Sequence, residues 1–237
     1  MLEYIEKMRR IQSSSFVGLW PLTEESGTVA YDISDNGYNA TSSGLVRTSN
    51  RGIYGPDGRP CAEFDGSTSY INLYGAVGSE PTTIGSISIW AATPNANIAG
   101  TTKMQIIKLA ADANNFIDIT FDTTAYRFNA AYEAGGTDKN VNSGLVYNTK
   151  AGYGPQWHHF ALTWTSADPA IFYVDGVALT ALTSLGTWAG AMASDLMVLG
   201  SSSTTAADVW KGSLARLGIW SVVLTPAEIR ELAKKAY

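Results

Sequence analysis

Bulky side chains recur at alternate positions in several stretches of this chain, each bounded by Gly, Pro, Asn or Asp. That period of two predicts strands over 16–22, 62–64, 69–73, 86–91, 104–109, 116–121, 126–132, 196–199 and 213–220. The strongest run is Trp157-His158-His159-Phe160-Ala161-Leu162-Thr163-Trp164, followed by Ile171-Phe172-Tyr173-Val174-Asp175-Gly176. Alternation puts His158, Phe160, Leu162 and Trp164 on one face, read as the core side, and Trp157, His159, Ala161 and Thr163 on the other. Asp175-Gly176 is a turn signal, because a two-residue type I′ loop needs positive φ at both centres. Residues 24–44 and 133–154 are polar and rich in Gly and Asn, and read as long loops, the second with one short strand near 145–147.

Two segments change period. Met1, Tyr4, Ile5, Met8 and Ile11 make an apolar stripe at helical spacing over residues 1–12, and Ser13-Ser14-Ser15 ends it. So short a helix is marginal in isolation, so the arm needs a surface to pack on: its own sandwich, a copy of itself or another protein. At the other end, Thr225-Pro226-Ala227-Glu228 combines an N-cap Thr, a Pro at N1 and a Glu at N3. Ile229, Leu232 and Ala233 form the inward stripe of that helix.

The W-H-H run and the Tyr173-Val174-Asp175-Gly176 ending resemble the central signature of laminin G-like domains of the concanavalin A-like lectin/glucanase superfamily. Gly18-Leu19-Trp20-Pro21-Leu22, Ala62-Glu63-Phe64-Asp65-Gly66 with Tyr70-Ile71, and Gly212 to Leu217 leading to Leu224 to Ile229 agree with it in order. The resemblance implies an all-β, antiparallel two-sheet jelly roll over residues 16–237, carrying a C-terminal helix and preceded by the helical arm and linker of residues 1–15. Function follows less directly, since one fold hosts many activities.

Composition narrows the partners. A chain of 237 residues that is 45% hydrophobic can bury one sizeable core. Its net charge of −5 and lack of large basic clusters argue against nucleic acid. The single Cys61 permits no intrachain disulfide and reads as a small buried side chain. No apolar run reaches the length of a membrane span, and the charged first ten residues do not form a secretory leader. The expectation is synthesis in the cytoplasm without membrane insertion.

Candidate chemistry is sparse. His158 and His159 point to opposite faces and cannot share a metal from one strand. Glycoside hydrolases of this superfamily carry alternating carboxylates on one strand, and Asp118 and Asp122 in Phe116 to Asp122 come nearest. The leading Glu is replaced by Phe116, and an i,i+4 strand spacing of about 13 Å exceeds the roughly 5–5.5 Å of a retaining pair, so a non-enzyme is expected. Asp32, Ser34 and Asn36 before Gly37 look like half a calcium loop, and Asp32 and Asp65 fall on motifs whose family equivalents often hold Ca2+; ordinary Asx turns are the alternative. The Asp common in the penultimate strand is Ala215 here. Trp20, Trp90, Trp164, Trp210 and Trp220 lie in strand motifs and read as core, leaving Tyr38, Tyr132, Tyr147, Tyr153 and Trp188 as loop aromatics, the last four of them candidates for stacking on sugars.

Together these readings predict a non-catalytic recognition or surface-display module. The first expectation is a bacteriophage virion component, a capsid decoration or tail-fibre protein forming homo-oligomers and contacting other virion or surface proteins through the arm. A glycan-binding, lectin-like module of a cell-surface or polysaccharide-processing system is the second.

Overall fold

The computed structural model describes residues 3–47, 54–73, 82–92, 102–144, 156–166 and 169–235. A helix, α1 (Glu3–Arg10), and a short 3-10 turn precede β1 (Phe16–Trp20), β2 (Val29–Ala30), β3 (Ala40–Ser43), β4 (Val46–Arg47), β5 (Ala62–Asp65) and β6 (Tyr70–Asn72). Then come β7 (Ile84–Ala92), β8 (Lys103–Asp112), β9 (Asn115–Asp122), β10 (Arg127–Ala134) and β11 (Thr137–Asn142). The chain finishes with β12 (Trp157–Thr165), β13 (Ile171–Val174), β14 (Val177–Ala178), β15 (Met197–Leu199), β16 (Lys211–Trp220) and α2 (Pro226–Leu232).

These strands form two antiparallel sheets. One runs β14-β13-β12-β7-β16-β5-β4, with β1 also paired to β16; the other runs β11-β10-β9-β8-β15-β6-β3-β2. Between them lies a core of Ile87, Ile89, Phe160, Leu162, Trp164 and Phe172 from the first sheet and Ile107, Leu109, Ile119, Phe121, Phe128 and Tyr132 from the second. Phe128 packs on Phe160 with centroids 4.2 Å apart, so the two inner faces interlock through aromatic rings. The Asp175-Gly176 turn has φ of 49° and 80°, the doubly positive geometry its sequence asked for, and it joins β13 to β14.

Both long loops hold strands that alternation missed. β2 and β3 lie within 24–44, and β11 lies within 133–154. β11 is polar at every position but Val141, half-buried and exposed in alternation, as suits a sheet edge, so it lacks the apolar beat by which strands are recognised. The strand expected near 145–147 lies outside the described residues.

The larger difference concerns the first sheet, whose outer face is also buried. Trp90, Ala161, Tyr173, Ala215, Trp220, Leu19 and Cys61 there join Tyr4 and Met8 of α1 and Ile229 and Leu232 of α2 in a second core. Trp90 Nε1 donates to Tyr4 Oη at 2.7 Å, and that hydroxyl donates to the Leu232 carbonyl at 2.6 Å. Lys7 Nζ donates to the Glu231 carbonyl at 2.7 Å, and Trp220 Nε1 to the Ile11 carbonyl at 2.9 Å. Of the apolar arm residues, Tyr4, Ile5 and Met8 are buried and Ile11 is half-buried; Met1 lies outside the described residues. The arm's apolar stripe therefore packs on its own sandwich. The capping box of α2 forms as expected, Thr225 Oγ1 accepting from the Glu228 amide and Glu228 Oε2 from the Thr225 amide.

A bulge in β16 between Ala215 and Gly218 places Arg216 at φ 60° with its side chain fully buried. Its guanidinium forms a two-pronged ion pair with Asp57 and donates to the Pro21 and Pro60 carbonyls at 2.6 and 3.1 Å. That pair ties the 54–60 segment to the second core.

Candidate functional site: the outer face of the second sheet

No helix covers the outer face of the second sheet among the described residues, and its chemistry is different. Register places Gln105 beside Thr120 and Asn129, Lys108 beside Asp118, Ala131 and Asn140, and Glu133 beside Phe116 and Asp138. Because partners across a ladder share a face, these side chains lie opposite the Ile119, Phe128 and Ala130 that enter the core. Ile106 is the extra residue of a bulge in β8, which is why Ile106 and Ile107 both turn inward while Gln105 and Lys108 stay outward.

The face offers amides, carboxylates, ammonium groups and the rings of Phe116 and Tyr70. Asp118 is buried at 7% exposure. Burial pushes its carboxyl up to about 6, against the pull of Lys103, Lys108 and a hydrogen bond from Gln105. The Lys108 ammonium sits 5.2 Å from the Phe116 ring centroid, and burial lowers its pKa while Asp118 opposes that fall. Gln105 Nε2 donates to the Ile107 carbonyl at 2.6 Å, but its buried Oε1 has no protein partner among the described residues. Arg127 Nε, at the start of β10, is likewise buried without one. Leaving such a group unmet costs about 1–3 kcal/mol, so each marks a place for water or a polar ligand.

Most residues expected to bind ligand are elsewhere. Tyr132 is not a loop aromatic: it lies in β10 and is fully buried in the core, its hydroxyl donating to the Thr82 carbonyl at 3.0 Å, so no ligand can stack on it. Trp188 is half-buried, with its ring 6.1 Å from Tyr132 and Nε1 donating to the Gly190 carbonyl at 3.1 Å. Tyr147 and Tyr153 lie outside the described residues.

The four oxygen-bearing residues are split between two turns. Asp32 accepts from the Leu19 and Ser34 amides through Oδ1 and from Ser34 Oγ and the Tyr38 amide through Oδ2, all at 2.7–2.8 Å. Asn36 turns its amide nitrogen to the Phe16 carbonyl at 2.8 Å. Asp65 accepts from the Ser67, Thr68 and Ser69 amides and from Thr68 Oγ1 in the β5–β6 turn. Partial burial opposes ionisation there, but those donors outweigh it and hold the carboxyl far below its usual range. These are Asx-turn geometries: N–H and O–H donors already point at the oxygens a calcium ion would need, so the residues do not fit a Ca2+ cage. No group of three or more His, Cys, Asp or Glu able to hold a metal occurs among the described residues.

Asp118 and Asp122 share a face of β9 but not a role. Asp122 caps the following turn, accepting from the Thr124 and Ala125 amides and Thr124 Oγ1 at 2.7–2.8 Å. The two histidines are structural as well. His159 is fully buried beside Ser88 Oγ at 2.8 Å, and burial pushes its imidazole down to about 3 despite Asp175, while His158 Nδ1 lies 2.7 Å from Asp175 Oδ2.

Residues 65–230 match a Laminin G family model described as Concanavalin A-like lectin/glucanases superfamily. The chain belongs to that superfamily. Among solved structures, this lectin-like sandwich is similar to the binding domain of Paraclostridial Mosquitocidal Protein 1, with a TM-score of 0.66 and 13% identity, covering 93% of this chain and 52% of that one. It is also similar to a Trypanosoma rangeli sialidase, with a TM-score of 0.65 and 13% identity over 94% of this chain and 33% of that one. Domain 4 of AbnA, an extracellular arabinanase from Geobacillus stearothermophilus in complex with arabinotriose, gives a TM-score of 0.59 and 20% identity, covering 93% of this chain and 98% of the domain. An 84-residue stretch is 32% identical to a sushi, von Willebrand factor type A, EGF and pentraxin domain-containing protein of Rattus norvegicus, covering 32% of this chain and 2% of that protein. At these identities the solved structures show a shared fold. The superfamily thus confirms the jelly roll that the W-H-H signature implied.

The sequence reading singled out Asp118 on this face, and Phe116 only as the replacement for a glutamate. Lys108, Gln105, Asn129, Glu133 and Asn140 escaped it, though the polar residues at 138, 140 and 142 and at 127, 129 and 133 carry the signal.

Proposed function

We propose that this domain is a non-catalytic glycan-recognition module that binds through the outer face of its second sheet. The observation that carries the reading is the pair of buried polar atoms with no protein partner among the described residues, Gln105 Oε1 and Arg127 Nε, on a face that also carries Lys108, Asp118, Asn129, Glu133 and Asn140 beside the Phe116 ring. Sugars present hydroxyls to planar amides and carboxylates and apolar C–H faces to rings, and this inventory suits them. The similarity to the arabinotriose-bound domain supports the same reading. Catalysis is not part of it, since Asp122 is committed to its turn and the partner carboxylate of a hydrolytic pair is missing from β9.

A glycan array of the folded domain tests it, with Lys108→Ala and Asn140→Ala expected to abolish or strongly weaken the positive spots. A blank array, or binding that ignores both substitutions, refutes it. Display on a larger assembly such as a virion is a narrower reading, and self-docking of α1 removes the apolar stripe proposed to carry it. Mass spectrometry of purified particles from the source tests that placement.

A further inference from the structure

Where the arm meets the sandwich, a pocket of about 160 Å³ opens between Arg9, Ser13, Phe16, Ile33, Ser34 and Asp35. The floor and the backbone around the pocket are fixed from behind, while the Arg9 and Asp35 side chains are exposed. The Phe16 ring packs on Trp220 with centroids 5.1 Å apart, and Asn36 Nδ2 donates to the Phe16 and Val17 carbonyls at 2.8 and 3.2 Å. Ser34 is held by Asp32, Ile33 donates its amide to the Leu19 carbonyl at 2.8 Å, and the Ser221 amide bonds the Ser15 carbonyl at 2.8 Å. On the arm side, Gln12 at φ 49° ends the turn of α1 that carries Arg9, and its side chain donates to Glu228 Oε1 at 2.8 Å. A floor and backbone anchored in this way are preorganised, leaving only the charged rim side chains to order on binding.

The lining is chemically divided. Phe16 and Ile33 are half-buried and make an apolar floor; the Arg9 guanidinium, the Asp35 carboxylate and the Ser13 and Ser34 hydroxyls make a polar rim. Arg9 is paired with Glu6 at 3.9 Å, beyond hydrogen-bond length, and both side chains are more than 40% exposed. Its planar fork is therefore available to a carboxylate. Asp35 accepts hydroxyl protons and repels an anion, which turns the charged end of a ligand toward Arg9. The volume of about 160 Å³ admits one small ring.

We infer that this pocket binds a single sugar ring bearing a carboxylate, with the acid on Arg9, ring hydroxyls on Asp35 and Ser13, and the apolar ring face on Phe16 and Ile33. A neutral sugar makes no use of Arg9, a simple inorganic anion none of Asp35 and the floor, and an apolar ligand none of either charge. The inference rests on the glycan-binding reading but assigns a second site, which includes the arm.

The test is nuclear magnetic resonance titration of the whole chain with glucuronic acid, with N-acetylneuraminic acid and with glucose at equal concentration. Amides of residues 9–16 and 33–36 are expected to shift with one or both acids, showing which class of acid is preferred, and to stay unmoved by glucose. Arg9→Gln, an exposed position, is expected to weaken acid binding about tenfold, as loss of a charged hydrogen bond does. Equal response to glucose, no response to either acid, or unchanged binding by Arg9→Gln overturns the inference. If neutral oligosaccharides still move β8–β11 in that case, the second-sheet reading stands without the pocket; if they too are silent, both fall.

Discussion

The outer faces of the two sheets share a backbone architecture and have opposite fates. On the first sheet the outer positions are Trp90, Ala161, Tyr173, Ala215 and Trp220, and two helices seal them. On the second the outer positions include Lys108, Asp118, Asn129, Glu133 and Asn140. A sheet buried on both faces gains apolar area and loses any surface for recognition. Keeping one polar face trades that stability for chemistry, and the price is visible in the raised carboxyl of Asp118.

The comparison predicts that substitutions on the sealed side cost stability and those on the open side cost binding. The largest effect is expected from Asp57→Ala, which strands the buried Arg216 charge and should lower unfolding free energy by about 3–5 kcal/mol in urea titrations. A loss under 1 kcal/mol would show that the pair is not what fastens the 54–60 segment.

On the open side, Asp118→Asn should act in the other direction. The folded pKa of Asp118, about 6, lies above the ordinary aspartate value of 3.8, so its stabilising share is complete below about pH 3.8 and lost as pH rises through 6. At pH 7.5 the neutral amide is therefore expected to stabilise the domain by about 2–3 kcal/mol and to flatten the stability profile between pH 4 and 6. Unfolding curves at several pH values check both the sign and the window. His159 works oppositely: its folded pKa, about 3, lies below 6.5, so its share is present above pH 6.5 and lost as pH falls toward 3. Acid unfolding of the Asp118→Asn variant should then report that histidine more cleanly than the parent does.

A smaller loss, about 1 kcal/mol, is expected for Thr225→Ala, which removes the capping box of α2 and loosens the seal without touching the main core. Asn140→Ala should change stability by less than about 0.5 kcal/mol while removing glycan binding, because the residue is exposed on an edge strand. Thermal melts and binding isotherms on one preparation separate the two effects.

How far the sequence could be read follows the same division. The inner seam, the Asp175-Gly176 turn and the α2 capping box were legible because each depends on local pattern: period two, a doubly positive φ, an N-cap with Glu at N3. The second core was not, because Ala161, Thr163 and His159 on β12 look like a solvent face until two helices distant in sequence are laid over them. The open face was half-legible. Asp118 stood out, but Lys108 and Asn140 became its neighbours only through the β8–β9–β10–β11 register, which no single strand displays. Tyr132 misled for the same reason: Gly and polar residues after it suggest a loop, while its place in β10 turns the ring inward.

The most direct test of the account is a residue-resolved titration of the whole domain with a neutral oligosaccharide chosen from a positive array. The account predicts amide shifts gathered on β8 to β11, centred on Lys108, Asp118 and Asn140, with the sealed face silent. Shifts confined to α1, α2 and β16, or none at saturating sugar, would contradict it.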